Sequence, residues 1–322
     1  MAERRFAVTI DAAGAGRTVT AVVREAGAVS NSVARGIVAS GRVTLNGQPV
    51  KDPAARAAAG DVVAARFDPQ MRYAEPTRRR EVGFRTVLED RAFVVVDKPA
   101  GVLTVPVPDS VEETLVGRVE DTLQARGIRQ PKIRVVHRID RATSGLVLVA
   151  RTPAAREALA AQFAARAPLR QYLAVCEGIA DPPDGKMVSW LVEHPKSHKV
   201  RPTSDRTAGQ EAILHYQRVE AFRDATLVRV RLETGRHNQI RVQFAERDWP
   251  LIGDWTYGRP SPLIRRVALH AERLAFDHPV TGERVDVQVP PPADFARLLD
   301  RLRAGAGLLR AGAGPGVARP PR

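Results

Sequence analysis

The run Leu146-Val147-Leu148-Val149-Ala150 carries no polar side chain, and it stands directly behind the charged stretch HRIDRATSG, residues 137–145. An apolar run this short, bounded by turn residues, reads as a buried strand over 145–150. A solvated loop would account for the charges in front of it, but not for the strand. Asp140 therefore sits at the edge of an apolar core, where an unpaired anion costs several kcal/mol. Arg138 and Arg141 are too close in sequence to both face it, because neighbours in an extended segment point to opposite sides. Two local readings stay open. Either Asp140 shapes the turn by bonding backbone amides near Thr143 or Ser144, or its carboxylate meets a cation from elsewhere in the chain.

The rest of the large region, 82–298, has the same texture. Residues 93–96 are all apolar and end in the Pro- and Gly-rich turn DKPAGV. Thr152-Pro153 supplies an N-cap and a proline at the first helical position, with Leu159 and Phe163 on the helix's buried face. Strands are expected at 172–176, 212–219, 227–232, 267–276 and 285–289, and a helix near 238–245. Long strands, few helices and many turns predict an α+β fold with a mixed, mainly antiparallel sheet, not the strict alternation of a nucleotide-binding fold.

Residues 5–70 read as a separate small αβ module. Val33, Ile37 and Val38 give a helical period that Gly41 stops. Val43 and Leu45 then alternate into the hairpin signal Asn46-Gly47, and a further strand starts near Asp61-Val62-Val63. Residues 1–80 carry 13 Lys/Arg against 7 Asp/Glu. A linker over 71–81 holds Pro76 and Arg78-Arg79-Arg80, which suits either a solvated patch or an RNA contact. The tail 304–322, AGAGLLRAGAGPGVARPPR, is low in complexity and free of acids, and disorder is expected there. Its glycines follow no strand and open no helix, so they form no phosphate loop.

The net charge is +14, from 50 Lys/Arg against 36 Asp/Glu. That balance favours a polyanionic partner, nucleic acid before anionic membrane, although an arginine-preferring genome would also raise it. A membrane-surface role lacks a basic amphipathic helix or lipidation motif. Cys176 is the one cysteine, which excludes a disulfide framework and a cysteine-rich zinc site. No secretory h-region and no membrane-length apolar stretch is present, so a cytoplasmic location is expected. No metal or nucleotide motif occurs, and no metal or other cofactor is expected.

A second dense polar stretch follows the strand at 227–232. Arg236, His237, Asn238, Gln239 and Arg241 crowd the strand-to-helix junction, while Ile240, Val242 and Phe244 alternate with them. One face is core and the other suits an anion or a polar base. Arg241 is the best candidate for the distant partner of Asp140. His237, His270 and His278 have no second ligand or triad partner at useful spacing, and hydrogen-bonding or structural roles are expected. Tyr172 is either half-buried core or a ring that stacks on an unstacked base.

Taken in order, DKPAGV, HRIDRATSGLVLVA, RQYLAVCEG, LETGRHNQIRVQF, PLIGDWTYG and LHAERLAFDHPVTGE resemble the RluA-type pseudouridine synthases over about 82–290. The N-terminal module resembles the ribosomal-protein-S4-like RNA-binding domain through 32–37, GRVTLNGQPVKD and GDVV. Such enzymes isomerise chosen uridines in structured RNA, breaking the N-glycosidic bond and rejoining the base through carbon. The resemblance makes Asp140 the catalytic carboxylate, Arg241 its cation and Tyr172 the stacking ring. Arg138 and Arg141 would face RNA, with Arg236, His237, Asn238 and Gln239 beside them and Arg35 and Arg42 in the small module. The base must be flipped out because its atoms cannot be reached inside a stacked helix. The reaction is redox-neutral and implies no cofactor.

The resemblance favours large-subunit ribosomal RNA over transfer RNA as the partner, and a monomer is expected. A synthase fold retained for ribosome assembly with its catalysis lost is the rival reading, opposed by the intact Asp140, Tyr172 and Arg241. The sequence departs from the family at Gln171, where Lys is common, at His237-Asn238, where Thr-His is usual, and at Gln243, where His is usual. Arg35 is nearly alone on a helix that in the family is more basic.

Overall fold

Val19, Val22 and Val23 share one face of a helix and meet Ala34, Ile37 and Val38 from the next, so two amphipathic helices close on each other. They belong to the first of two units into which the chain divides, Met1–Glu81 and Val82–Arg322. The computed structural model describes residues 4–68, 83–105, 114–195 and 197–307. The expected linker at 71–81 lies outside these, as do residues 308–322 of the tail.

The first unit runs β1 (Arg4–Thr9), α1 (Val19–Ala26), α2 (Asn31–Ala39), β2 (Val43–Leu45), β3 (Gln48–Val50) and β4 (Val62–Phe67). Thr18 and Ser30 cap the helices, accepting the amides of Ala21 at 3.2 Å and Val33 at 3.4 Å. Asn46 and Gly47 have φ of 53° and 79°, the pair of positive angles that a tight hairpin between β2 and β3 requires. The four strands pair in the order β1-β4-β2-β3. Arg35 is half-buried on α2 and Arg42 is exposed just ahead of β2.

The second unit holds β5 (Arg85–Glu89), β6 (Phe93–Lys98), α3 (Leu115–Ala125), β7 (Arg134–Val135), β8 (Ser144–Ala150), α4 (Pro153–Ala164), β9 (Leu169–Glu177), β10 (Asp184–Glu193), β11 (Val200–Thr203), β12 (Gln210–Ala221), β13 (Ala225–Leu232), α5 (Gln239–Glu246), β14 (Leu269–Asp277), β15 (Arg284–Gln288) and α6 (Ala293–Arg303). Among the described residues its sheet has eleven strands, nine of them in the path β11-β10-β12-β13-β9-β14-β8-β6-β5, with β7 on β8 and β15 on β14. All pairs are antiparallel except β14 with β8. The α+β reading with a mixed, mainly antiparallel sheet is what the structure shows. No described helix is long and apolar enough to cross a membrane.

The unbroken apolar run of β8 follows from cover on both faces. Val147 and Val149 join Val94 and Val96 of β6 beneath α3. Leu146 and Leu148 join Phe93 and Val95 on the other face, under Leu159 of α4. Farther along the sheet, Phe295, Leu298, Leu299 and Leu302 of α6 cover Leu173, Val175 and Leu227. This helix carries the packed chain to Arg303, past the expected boundary at 298.

The junction that orders the sheet is β14, which lies between β8 and β9 although it comes more than ninety residues after β9. It pairs with β8 only through His270 with Ser144 and Ala271 with Gly145. Gly145 has φ of +114°, and a Cβ there would stand 2.2 Å from the carbonyl oxygen of Ala271. Both the angle and the clash reject any side chain. Gly145→Ala is expected to destabilise the second unit by at least about 2 kcal/mol, read as a lower urea midpoint. An unchanged midpoint would show that the two strands can separate without cost.

Candidate active site

Asp140 stands in the loop between β7 and β8. The Thr143 amide closes the turn onto the backbone oxygen of Asp140 at 3.1 Å, so main chain, not the carboxylate, shapes it. The carbonyls on either side are held by the turn after β6. Thr104 Oγ1 donates to the Ile139 oxygen at 2.8 Å, while the Gly101 amide and Lys98 Nζ donate to the Arg141 oxygen at 2.7 and 3.2 Å. Lys98 is wholly buried and also donates to the oxygens of Pro99 at 3.0 Å and Val102 at 2.8 Å. Burial pushes its ammonium down to about 7, while the charge of Asp140 pulls the other way. The backbone around Asp140 is thereby fixed and its carboxylate left for other work.

That carboxylate faces a cavity of about 490 Å³. Five arginines line it, Arg138, Arg166, Arg170, Arg236 and Arg241, against the acids Asp140 and Glu233. Tyr172 of β9 forms part of the wall and is 7% exposed. Burial, opposed by Arg170 and aided by Asp140, raises its phenol to about 12, so it stays protonated at neutral pH. Arg170 donates from Nη2 to the Glu233 oxygen at 2.9 Å and lies 5.6 Å from the Phe163 ring centroid.

Arg241, in the first turn of α5, brings Nη1 to 3.8 Å from Asp140 Oδ2. This is within ion-pair range but outside hydrogen-bond range. Its stronger partner is Asp254, which takes Nε and Nη2 at 2.7 Å each. Burial works against both charges, but the pairing outweighs it, raising the guanidinium pKa and lowering that of the Asp254 carboxyl. Asn238 Oδ1 accepts from Nη1 at 2.5 Å, and the Tyr257 ring covers the guanidinium with its centroid 5.0 Å from Cζ.

A model of RNA pseudouridylate synthases matches residues 92–246, and an S4 domain model matches residues 19–63. The ribosomal large subunit pseudouridine synthase D of Xylella fastidiosa is 35% identical over 317 residues, covering 93% of both chains. The chain belongs to the RNA pseudouridylate synthase family. Its chemistry is the isomerisation of uridine in RNA to pseudouridine. An uncharacterised RNA pseudouridine synthase of Bacillus subtilis, YlyB, is 39% identical over 220 residues, 67% of this chain and 71% of that one. Human RNA pseudouridylate synthase domain containing 4 shares the fold at a TM-score of 0.56 and 21% identity, over 68% of this chain and 92% of that one.

In this synthase the cavity gathers Asp140, Tyr172, Arg241, Arg138, Arg236, Asn238 and Gln239 from three separate stretches of the second unit. Three of the residues expected to contact RNA make hydrogen bonds within the protein. Gln239 is 2% exposed, and its amide serves Thr234 Oγ1, the Arg236 amide and the Ile213 oxygen. Asn238 holds Arg241, and His237 lies off the cavity wall with Nδ1 3.2 Å from Glu193 Oε2. Arg141 is exposed and donates to the Gly101 oxygen at 3.1 Å.

His270 bonds Ser144 and the Val289 oxygen, and His278 pairs with Asp90, both structural. Gln171 reaches Glu272 and Gln243 reaches Ser189 and the Ala212 oxygen, neither of them in the cavity wall. Lys98, Arg170, Asp254 and Tyr257 were not singled out by the sequence. The signal for all four was their place in DKPAGV, RQYLAVCEG and PLIGDWTYG.

His137 is also part of the wall. Its Nε2 accepts the Leu148 amide at 2.9 Å, so it must be neutral, and its ring stacks on Phe163 at 4.8 Å. Burial first, then Arg170, pushes it down to about 3 from 6.5. Between those values the unfolded chain binds a proton that the folded chain refuses, so stability falls as pH falls through that window. Relative to His137→Gln, the wild type is expected to lose about 1–2 kcal/mol between pH 6.5 and 4.5 in urea titrations. Parallel pH curves for the two proteins would show that the imidazole takes up a proton without cost.

Proposed function

We propose that this enzyme modifies uridine in large-subunit ribosomal RNA and that Asp140 is its reacting carboxylate. The observation that carries this is the placement of Asp140. It has a backbone-closed turn behind it, Tyr172 and Arg241 beside it, and an arginine-lined cavity in front. The cavity suits one nucleotide taken out of a stack. In it, the uracil stacks on Tyr172 while Arg138 and Arg141 take RNA at the rim and Arg236 takes phosphate within.

The isomerisation breaks the bond from ribose C1′ to N1 and makes the bond from C1′ to C5. The C5 proton leaves and N1 gains one. Asp140 serves as nucleophile or as base, and Arg241 keeps a cation beside the anion that either role needs. The ribosomal assignment rests on the name of the Xylella relative and the coverage of both chains. A monomer working in the cytoplasm fits that substrate.

The decisive experiment maps pseudouridine across ribosomal and transfer RNA in cells with and without the protein, then with Asp140→Asn. The variant is expected to fold and bind RNA but to lose at least about 10²-fold in rate. Full activity in that variant would refute the role of Asp140, and sites confined to transfer RNA would refute the substrate. In the small module, Arg35 and Arg42 are proposed phosphate contacts. The double variant R35Q/R42Q is expected to flatten the slope of log affinity against log salt by about 1–2. An unchanged slope would remove both from the RNA interface.

A further inference from the structure

Asp254 is 1% exposed and lies outside the cavity wall, yet its two oxygens take four hydrogen bonds. Besides Nε and Nη2 of Arg241, they accept the amides of Thr256 at 2.9 Å and Tyr257 at 3.1 Å on Oδ1. The carboxylate is therefore fixed by its own turn before it binds the guanidinium. Asn238 completes the clamp from a left-handed backbone, φ 53°, at the N-cap of α5, where its side chain makes no cap bond. Its Nδ2 donates to the Tyr257 hydroxyl at 3.3 Å, and that hydroxyl also accepts the Val200 amide at 3.0 Å. The cap is given up to hold Arg241.

A guanidinium has five N–H donors in a plane. Asp254 takes two and Asn238 a third, while Tyr257 covers one face. A guanidinium fork fits a carboxylate bidentately wherever it is free to do so. Arg241 has two carboxylates within reach, and the buried one has the fork. Asp140 is left at 3.8 Å from Nη1, inside the field of the cation but not bonded to it.

We propose that Asp254 is a positioning residue that aims Arg241 at Asp140 while preventing bidentate closure onto it, so that both oxygens of Asp140 stay open to the uridine. This rests on Asp140 being the reacting group. The test uses the full chain and [5-³H]uridine-labelled total RNA from cells lacking the protein. Single-turnover tritium release and RNA affinity are measured for wild type, Asp254→Asn, Asp254→Glu and Asp140→Asn. Arginine ¹⁵N spectra of the free proteins are recorded alongside, with Arg241 signals assigned by their absence in Arg241→Gln.

Asp254→Asn is expected to lose about 10²-fold in rate with affinity unchanged within about threefold, and Asp254→Glu to recover about tenfold of that loss. Exchange-protected Arg241 N–H signals should be present in the wild type and altered in Asp254→Asn. A fully active Asp254→Asn protein overturns the role of Asp254 alone. So does a loss of rate that tracks lost affinity or lost thermal stability equally in the Asn and Glu variants. An active Asp140→Asn protein overturns the reading of Asp140 and this role with it.

Discussion

The constraint on which the second unit depends is that charges brought to the edge of an apolar sheet must be met there. Burying an ion is costly, and only good geometry with further hydrogen bonds offsets it. Lys98 meets that condition with three carbonyls, and Arg241 and Asp254 meet it with each other, an asparagine, a ring and two amides. Asp140 is the exception. Its carboxylate accepts no hydrogen bond among the described residues and feels only the fields of Arg241, at 3.8 Å, and of Lys98, and at 22% side-chain exposure it looks into the cavity. Lys98, Arg241 and Asp254 are each held by several hydrogen bonds, and the contrast with Asp140 is what supports its proposed role.

The same economy explains why the cavity is so rich in arginine. Two of its guanidiniums are tied to neutral backbone carbonyls, Arg170 to that of Glu233 and Arg236 to that of Glu211. Such contacts fix position without cancelling charge. The wall keeps a positive field for a phosphate-bearing substrate while the arginines stay ordered.

How much of this was readable in the sequence depended on whether a residue's environment was set locally. β6 and β8 were legible because cover on both faces leaves them no polar position. β2, its Asn46-Gly47 turn and the Thr152-Pro153 start of α4 were legible because caps and turns are local chemistry. β10 was not, since its burial alternates around Gly185, Lys186 and Ser189, and an edge-side strand of that kind looks like loop. Phe295, Leu298, Leu299 and Leu302 of α6 did have a helical period, but it lay past the last matching motif. Arg241 could be read as near Asp140. Its capture by Asp254 could not, because nothing in PLIGDWTYG shows that the aspartate turns inward. The partners of Asn238 and Gln239 within the protein could not be read for the same reason, since sequence shows polarity but not what satisfies it.

The position of β14 has a consequence for how the protein is made. Chains emerge from the ribosome N-terminus first, and local pairings form before distant ones. A nascent chain that has reached residue 260 already contains Asp140, Tyr172, Arg241 and Asp254, yet the strand that joins β8 to β9 is still missing. Without Ala271 against Gly145, the two halves of the cavity have no shared sheet to hold them in register. The pocket is therefore assembled only once β14 has been made, and a product cut short before it would carry Asp140, Tyr172, Arg241 and Asp254 with no sheet to hold them in register.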